Sequence, residues 1–290
     1  MSSLGLSLVR GAVTSPFKRA GRPGAALPAR REVLAPSRIA PGPLAAYSRV
    51  CGFAESGVLP LTYPHVLGFP SAMRVMTGRG FPLPVLGLVH TWIEITGHRV
   101  LQPHDTLELT VYAAALTPHR RGTEVTMVTE ARLDGALVWE SRSGYLSRHA
   151  TGRPGAPEQP SPSGGTSPAP RGPAAGAGLP AVAEWHLPTG LGRRYGAASG
   201  DRNPIHLHPV TARLFGFPRH IAHGMWTVAR CLAQESGGGV GDPGRIRSVR
   251  ADFRAPVLLP ATVTYAAAGR DFEVCDGSRV HLTGHVTRAD

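Results

Sequence analysis

Lysine is almost missing from this chain: of 31 lysines and arginines, only Lys18 is a lysine. Acidic residues are scarce as well, 19 in all, so the formal net charge is +12. The three cysteines, Cys51, Cys231 and Cys275, are odd in number and far apart. That excludes a disulfide framework and suits a reducing, cytoplasmic setting. No apolar run approaches the roughly 18 residues that a membrane-spanning helix needs. The arginine bias comes with 36 glycines and 28 prolines, the signature of GC-rich coding whatever the function. The arginines are scattered and do not form a stripe interleaved with aromatics, so nucleic acid is not an expected partner. A phosphate-bearing substrate or an acidic carrier protein would make better use of the charge.

What is present falls into two ordered blocks. Residues 1–39 are basic and rich in Pro, Gly, Ser and Ala, and read as a disordered tail without the apolar core of a secretory signal. Residues 40–149 form the first block. Tyr63-Pro64-His65 leads into a short helix, Pro70 to Thr77, ended by Gly78. Alternating segments follow at Val89 to Ile95 and Thr106 to Leu116. Val125 to Leu133 and Ala136 to Leu146 form a hairpin across Asp134-Gly135, a favoured two-residue turn. Residues 150–180 are a Pro/Gly/Ser/Ala-rich linker. Residues 181–290 then repeat the order of the first block. His223 opens a helix as His65 does, and Val257-Leu258-Leu259-Pro260 before Thr262 echoes Val100-Leu101-Gln102-Pro103 before Thr106. Asp276-Gly277, before a last strand at Val280 to Thr287, matches Asp134-Gly135. Two copies of a helix followed by antiparallel strands read as two α+β units.

Chemistry concentrates in the second block, at Tyr195 to Met225. Small residues (Ala197, Ala198, Ser199, Gly200) run directly into Asp201-Arg202-Asn203-Pro204-Ile205-His206. Asn203-Pro204 forces a bend, because the residue before proline avoids helical geometry. Asp201 and His206 therefore lie on either side of a rigid turn, where a carboxylate and an imidazole can hold a water and move its proton. His223-Gly224-Met225 opens an apolar helical run, Trp226 to Glu235, stopped by glycines from Gly237. A helix start offers free backbone N–H groups and a positive dipole end, and Gly224 leaves one of them uncovered for an oxyanion. An alternative is a metal cluster of His206, His208, His220 and His223, but no cysteine or second carboxylate completes a recognisable ligand spacing.

Tyr195, Ser199, Gly200, Asp201, Asn203, Pro204, Ile205, His206 and Ala212, with His223-Gly224-Met225, resemble the signature of the MaoC-like, or hydratase-2, family of hotdog-fold enzymes. Ala198 stands where a larger aliphatic residue or Gly is usual, and His208 where many relatives carry Asp. The resemblance implies a double hotdog: two antiparallel sheets, each wrapped around a central helix and joined into one, as a monomer mimicking a single-hotdog dimer or as a homodimer. It implies no cofactor and no metal.

The implied reaction interconverts an (R)-3-hydroxyacyl thioester and a trans-2-enoyl thioester, carried on coenzyme A or acyl carrier protein, within fatty-acid or related acyl-chain metabolism. Asp201 and His206 would share the water, and the Gly224 amide would bind the thioester oxygen. Asn203, Ser199 and His223 would support them. Arg193, Arg194, Arg219, Arg245, Arg247 and Arg250 are candidates for phosphates or an acidic carrier. The first block has Val66 in place of the glycine, and nothing before His65 resembles Ser-Gly-Asp-x-Asn-Pro-x-His. It is expected to be a non-catalytic, acyl-chain-binding hotdog, with Met73 and Met76 in the wall. A hotdog thioesterase and a non-catalytic acyl-thioester-binding scaffold are the alternative readings.

Overall fold

A computed structural model describes residues 25–151, 178–237, 243–277 and 279–289. The first half runs β1 (Glu32–Arg38), α1 (Pro41–Cys51), α2 (Tyr63–Thr77), β2 (Val89–Gly97), β3 (Thr106–His119), β4 (Gly122–Leu133) and β5 (Ala136–Arg148). The second half runs β6 (Ala181–Leu187), α3 (Leu191–Ser199), α4 (Pro204–Leu207), α5 (Pro209–Leu214) and α6 (Gly224–Glu235). It ends with β7 (Ile246–Phe253), β8 (Ala261–Ala268), β9 (Asp271–Asp276) and β10 (Arg279–Arg288).

All the strands join one ten-stranded sheet in the order β1-β3-β4-β5-β2-β7-β10-β9-β8-β6. Reading outward from the centre, β2-β5-β4-β3-β1 on one side is matched by β7-β10-β9-β8-β6 on the other. The two halves are therefore the same unit repeated about the β2–β7 seam, where Trp92 to Thr96 pair antiparallel with Asp252 to Ser248. The expected α+β double arrangement holds. Asp134 (φ 50°) and Gly135 (φ 82°) both take the positive φ that the tight turn between β4 and β5 requires. Asp276-Gly277 sits at the matching β9–β10 connection.

One buried apolar cluster spans both halves. It joins Tyr47 and Tyr63 of the first half, and Ile93 and Val249 at the seam, to Tyr195, Val228 and Phe272 of the second. A second cluster lies wholly in the first half, where Met73 and Met76 of α2 meet Phe81, Leu83, Val111 and Met127. Halves sharing a core in this way gain the hydrophobic stabilisation of one large domain.

Four expectations from the sequence are corrected. The ordered chain begins earlier than residue 40, since β1 lies inside the segment read as a tail; residues 1–24 lie outside the described residues, as does most of the linker. An interior Pro in an edge strand hides β1 from pattern reading: Pro36 removes a donor that an edge position can spare. Helix α2 starts at Tyr63, not Pro70, with Pro64 in its first turn. Pro70 sits inside the helix at the cost of one backbone bond, outweighed by burial of eleven of the fifteen residues. Accordingly His65 is part of the helix, whereas His223 is the residue just before one. Arg250 is not free for phosphate, being held over the Trp92 ring at 4.2 Å and beside Asp252 at 3.2 Å.

Candidate active site

Glycine builds the site before any reactive group does. Helix α3 carries Gly192 and Gly196 four residues apart, on one face. A Cβ on Gly192 would lie 1.9 Å from the His206 carbonyl oxygen, and one on Gly196 would lie 2.7 Å from that of Asp201. Only bare backbone lets the bend press this closely against the helix. Gly200 then ends α3 in the left-handed region, φ 79°, with its N–H donating to the Gly196 carbonyl. The paired glycines were not singled out in the sequence, because their need arises only from the bend packing against α3.

Short hydrogen bonds fix the bend itself. Ser199 Oγ donates to the Tyr195 carbonyl (2.9 Å) and accepts the Asp201 N–H (3.2 Å). Asp201 Oδ1 accepts the Asn203 N–H at 3.1 Å. Asn203 caps α4, its Oδ1 accepting the Ile205 N–H at 3.3 Å. Its carbonyl accepts the His206 N–H at 3.0 Å. The sequence Ser-Gly-Asp-x-Asn-Pro-x-His is thus a chain of local bonds that leaves one carboxylate oxygen and one imidazole edge unspent.

Asp201, His206 and His223 converge, each offering a ligand atom within 4.8 Å of the others. His206 is 8% exposed and its Nδ1 donates to the Ile221 carbonyl at 2.9 Å. This bond puts the proton on Nδ1 and leaves Nε2 as a lone pair. His223, 2% exposed, donates from Nε2 to the Asp201 carbonyl at 3.0 Å. Its ring stacks on that of His206, centroids 3.7 Å apart, and meets Tyr195 at 4.7 Å. Burial lowers the pKa of both imidazoles below the usual value, though the Asp201 carboxylate partly restores that of His206. Burial raises Asp201 above an ordinary carboxylate, while His206 and the Asn203 N–H pull it back down. The site therefore keeps its imidazoles neutral.

The metal question takes a different form from that posed by the sequence. His208 accepts the Val210 N–H at the start of α5, and His220 bonds the Thr189 carbonyl, so neither joins the cluster. Among the described residues, the trio with metal-like spacing is Asp201, His206 and His223. Its two rings lie 25° from parallel. Imidazole lone pairs lie in the ring plane, so stacked rings do not aim both at one ion about 2 Å away. The arrangement suits a water held between Asp201 and the edge of His206.

Gly224 follows His223 directly as the first residue of α6. Its N–H belongs to the first turn, which helix geometry leaves without an acceptor. A Cβ there would sit 2.7 Å from a ring carbon of Phe253, so the aromatic wall of β7 requires glycine at this point. Pair, helix start and wall thus share one corner.

Residues 186–288 match the model of the MaoC like domain. Over 245 residues the chain is 38% identical to 3-hydroxyacyl-thioester dehydratase X of Mycobacterium tuberculosis, covering 84% of this chain and 82% of that protein. The chain belongs to the MaoC-like, hydratase-2 family. Its structure superposes on that of HtdX from the same organism with a TM-score of 0.73 at 32% identity, covering 90% of this chain and all of that one. A M. tuberculosis protein described as a double hotdog aligns with a TM-score of 0.53 at 15% identity, over 92% of this chain and 99% of that one. The repeated MaoC-like sheet is accordingly a double hotdog.

Proposed function

We propose that this MaoC-like chain is a hydro-lyase that interconverts (R)-3-hydroxyacyl and trans-2-enoyl thioesters. The observation that carries the reading is the convergence of the Asp201 carboxylate with the unprotonated Nε2 edge of His206 beside the Gly224 helix start. In hydration the water oxygen bonds to C3 as one member of the pair takes its proton. The member that took this proton then delivers it to C2 while the other keeps the reacting oxygen in place, so the pair ends as it began. Dehydration runs the same steps backward. The thioester oxygen gains enolate charge between these steps, and the Gly224 N–H is placed to receive it. Ser199, Asn203 and His223 act through the backbone of the bend, holding Asp201 and His206 in register.

The substrate thioester is carried on coenzyme A or acyl carrier protein, and the Met73–Met76 region of the first half forms its acyl wall. The setting is cytoplasmic acyl-chain metabolism. Among the described residues no helix is long and apolar enough to cross a membrane. The testing experiment follows loss of enoyl absorbance with short, medium and long trans-2-enoyl substrates, each supplied on both carriers, and determines the configuration at C3 of the product. Release of free thiol without hydration would favour the thioesterase reading; no turnover of either kind would favour a binding scaffold.

A further inference from the structure

The first half has no counterpart of the Asp201–His206 bend among the described residues, yet it sends a half-buried aromatic stack to the corner where Gly224 lies. Phe253 has ring carbons 2.7 to 3.1 Å from the point a Gly224 Cβ would occupy. The same ring packs against His90 of β2, centroids 4.7 Å apart. His90 lies across the ladder from Tyr145 of β5, and their rings stack at 4.4 Å, 13° from parallel. His65 of α2 backs His90 at 6.5 Å. The stack runs from the Gly224 helix start through β7 and β2 to β5, crossing the seam.

Its polar atoms are not absorbed by the fold. His90 Nε2 is buried without a hydrogen-bond partner, while Ser143, two residues from Tyr145 on the same strand face, lies against the Tyr145 hydroxyl. Folded proteins rarely leave buried polar atoms unpaired, so this wall is built to meet a polar group. Burial, and after it the Asp201 charge, push the Tyr145 phenol above its ordinary range. Tyr145 thus stays a hydrogen-bond donor on the Asp201 side of the stack.

We propose that Tyr145 contacts substrate, its hydroxyl donating a hydrogen bond to the oxygen that Asp201 and His206 add to or remove from C3. His90 is the positioning residue that holds its ring. The inference rests on the hydro-lyase reading. On this account the duplicated half does more than line an acyl channel: it supplies one donor to the reacting atoms.

The test compares the wild-type chain with Tyr145→Phe, His90→Phe and His90→Ala, measuring kcat and KM for an enoyl thioester across pH and checking folding by thermal unfolding. Tyr145→Phe is expected to melt normally while kcat falls about tenfold to a hundredfold, somewhat less than loss of an oxyanion donor. KM should change less than kcat, because the lost hydrogen bond is made to the reacting oxygen. His90→Phe keeps the stack and should stay within about threefold of wild type, whereas His90→Ala should follow Tyr145→Phe. An unchanged kcat in Tyr145→Phe, or a raised KM with kcat unmoved, would overturn the inference. A wild-type chain inert toward enoyl and 3-hydroxyacyl thioesters would overturn the underlying reading and this inference together; an active wild type with an indifferent Tyr145→Phe overturns the inference alone.

Discussion

The two helix entries, His65-Val66 in α2 and His223-Gly224 in α6, occupy equivalent places in the repeated unit and have diverged in opposite directions. At α2 the histidine is drawn into the helix, bonds Ser141 at 3.3 Å, and is followed by a buried valine. At α6 the histidine stays outside, holds the Asp201 backbone, and is followed by a bare helix start. The strands differ too. β3 and β4 run 14 and 12 residues, their counterparts β8 and β9 only 8 and 6. The longer strands carry the extra apolar cluster around Met73 and Met76. On the proposed reading, one copy carries the loop that does chemistry and the other the sheet area that can wall an acyl group.

The comparison breaks most sharply at the reacting pair. Asp201→Asn and His206→Ala should each cut turnover by about 10²–10⁴-fold while far-ultraviolet circular dichroism and the melting transition stay near wild type. A variant with near-normal turnover would remove that residue from the mechanism. Converting the second entry toward the first comes next. Gly224→Ala should cost about 10²-fold or more, because its methyl group meets Phe253 and displaces the amide. Adding Phe253→Leu should recover part of the loss by making room. If the double variant is no better than the single one, the amide was not lost through that clash.

Both halves bury histidines, which predicts a shared sensitivity to acid. Burial lowers His65 to about 4 and His90 to about 3. Because the folded pKa lies below the unfolded value near 6.5, the unfolded chain takes up protons first as pH falls. Stability is then fully present above pH 6.5 and declines by about 1.4 kcal/mol per pH unit for each imidazole down toward its folded pKa. Denaturant titrations at pH 7 and pH 5 check the sign. His65→Gln and His90→Phe should each flatten the slope. The smallest effect belongs to the acyl wall: Met73→Ala or Met76→Ala should shift chain-length preference several-fold with little change in kcat on the best substrate. An unaltered preference would take those side chains out of the substrate path.

Much of this was legible before any coordinates. The hairpin turns could be read because Asp-Gly has few alternatives to positive φ, and the Asp201–His206 bend because proline dictates geometry locally. Elements whose cause is tertiary were not. In β7, Ile246, Val249 and Ala251 face the core, but the intervening Arg247 and Arg250 drew attention as charge and hid a strand buried by its seam partner. Helix α1 has Leu44, Tyr47 and Cys51 buried at helical spacing, yet its Pro and Gly start masked the period. In the site, His206 and Gly224 could be named from pattern. The need for bare backbone at Gly192 and Gly196 depends on how α3 lies against the bend, which no local rule states. Tyr145 was out of reach for the same reason, since nothing in β5 announces that its ring will stack on His90 beside Phe253 of the other half.

The β2–β7 seam also bears on how such a chain tolerates being divided. Five residue pairs join the halves there, the Trp226 indole donates to the Val50 carbonyl, and Tyr47 packs on Tyr195 at 6.0 Å. None of these contacts depends on the peptide connecting β5 to β6. A protease nick in that connection should therefore leave two fragments that co-purify as a working heterodimer, each half supplying one strand of the central ladder.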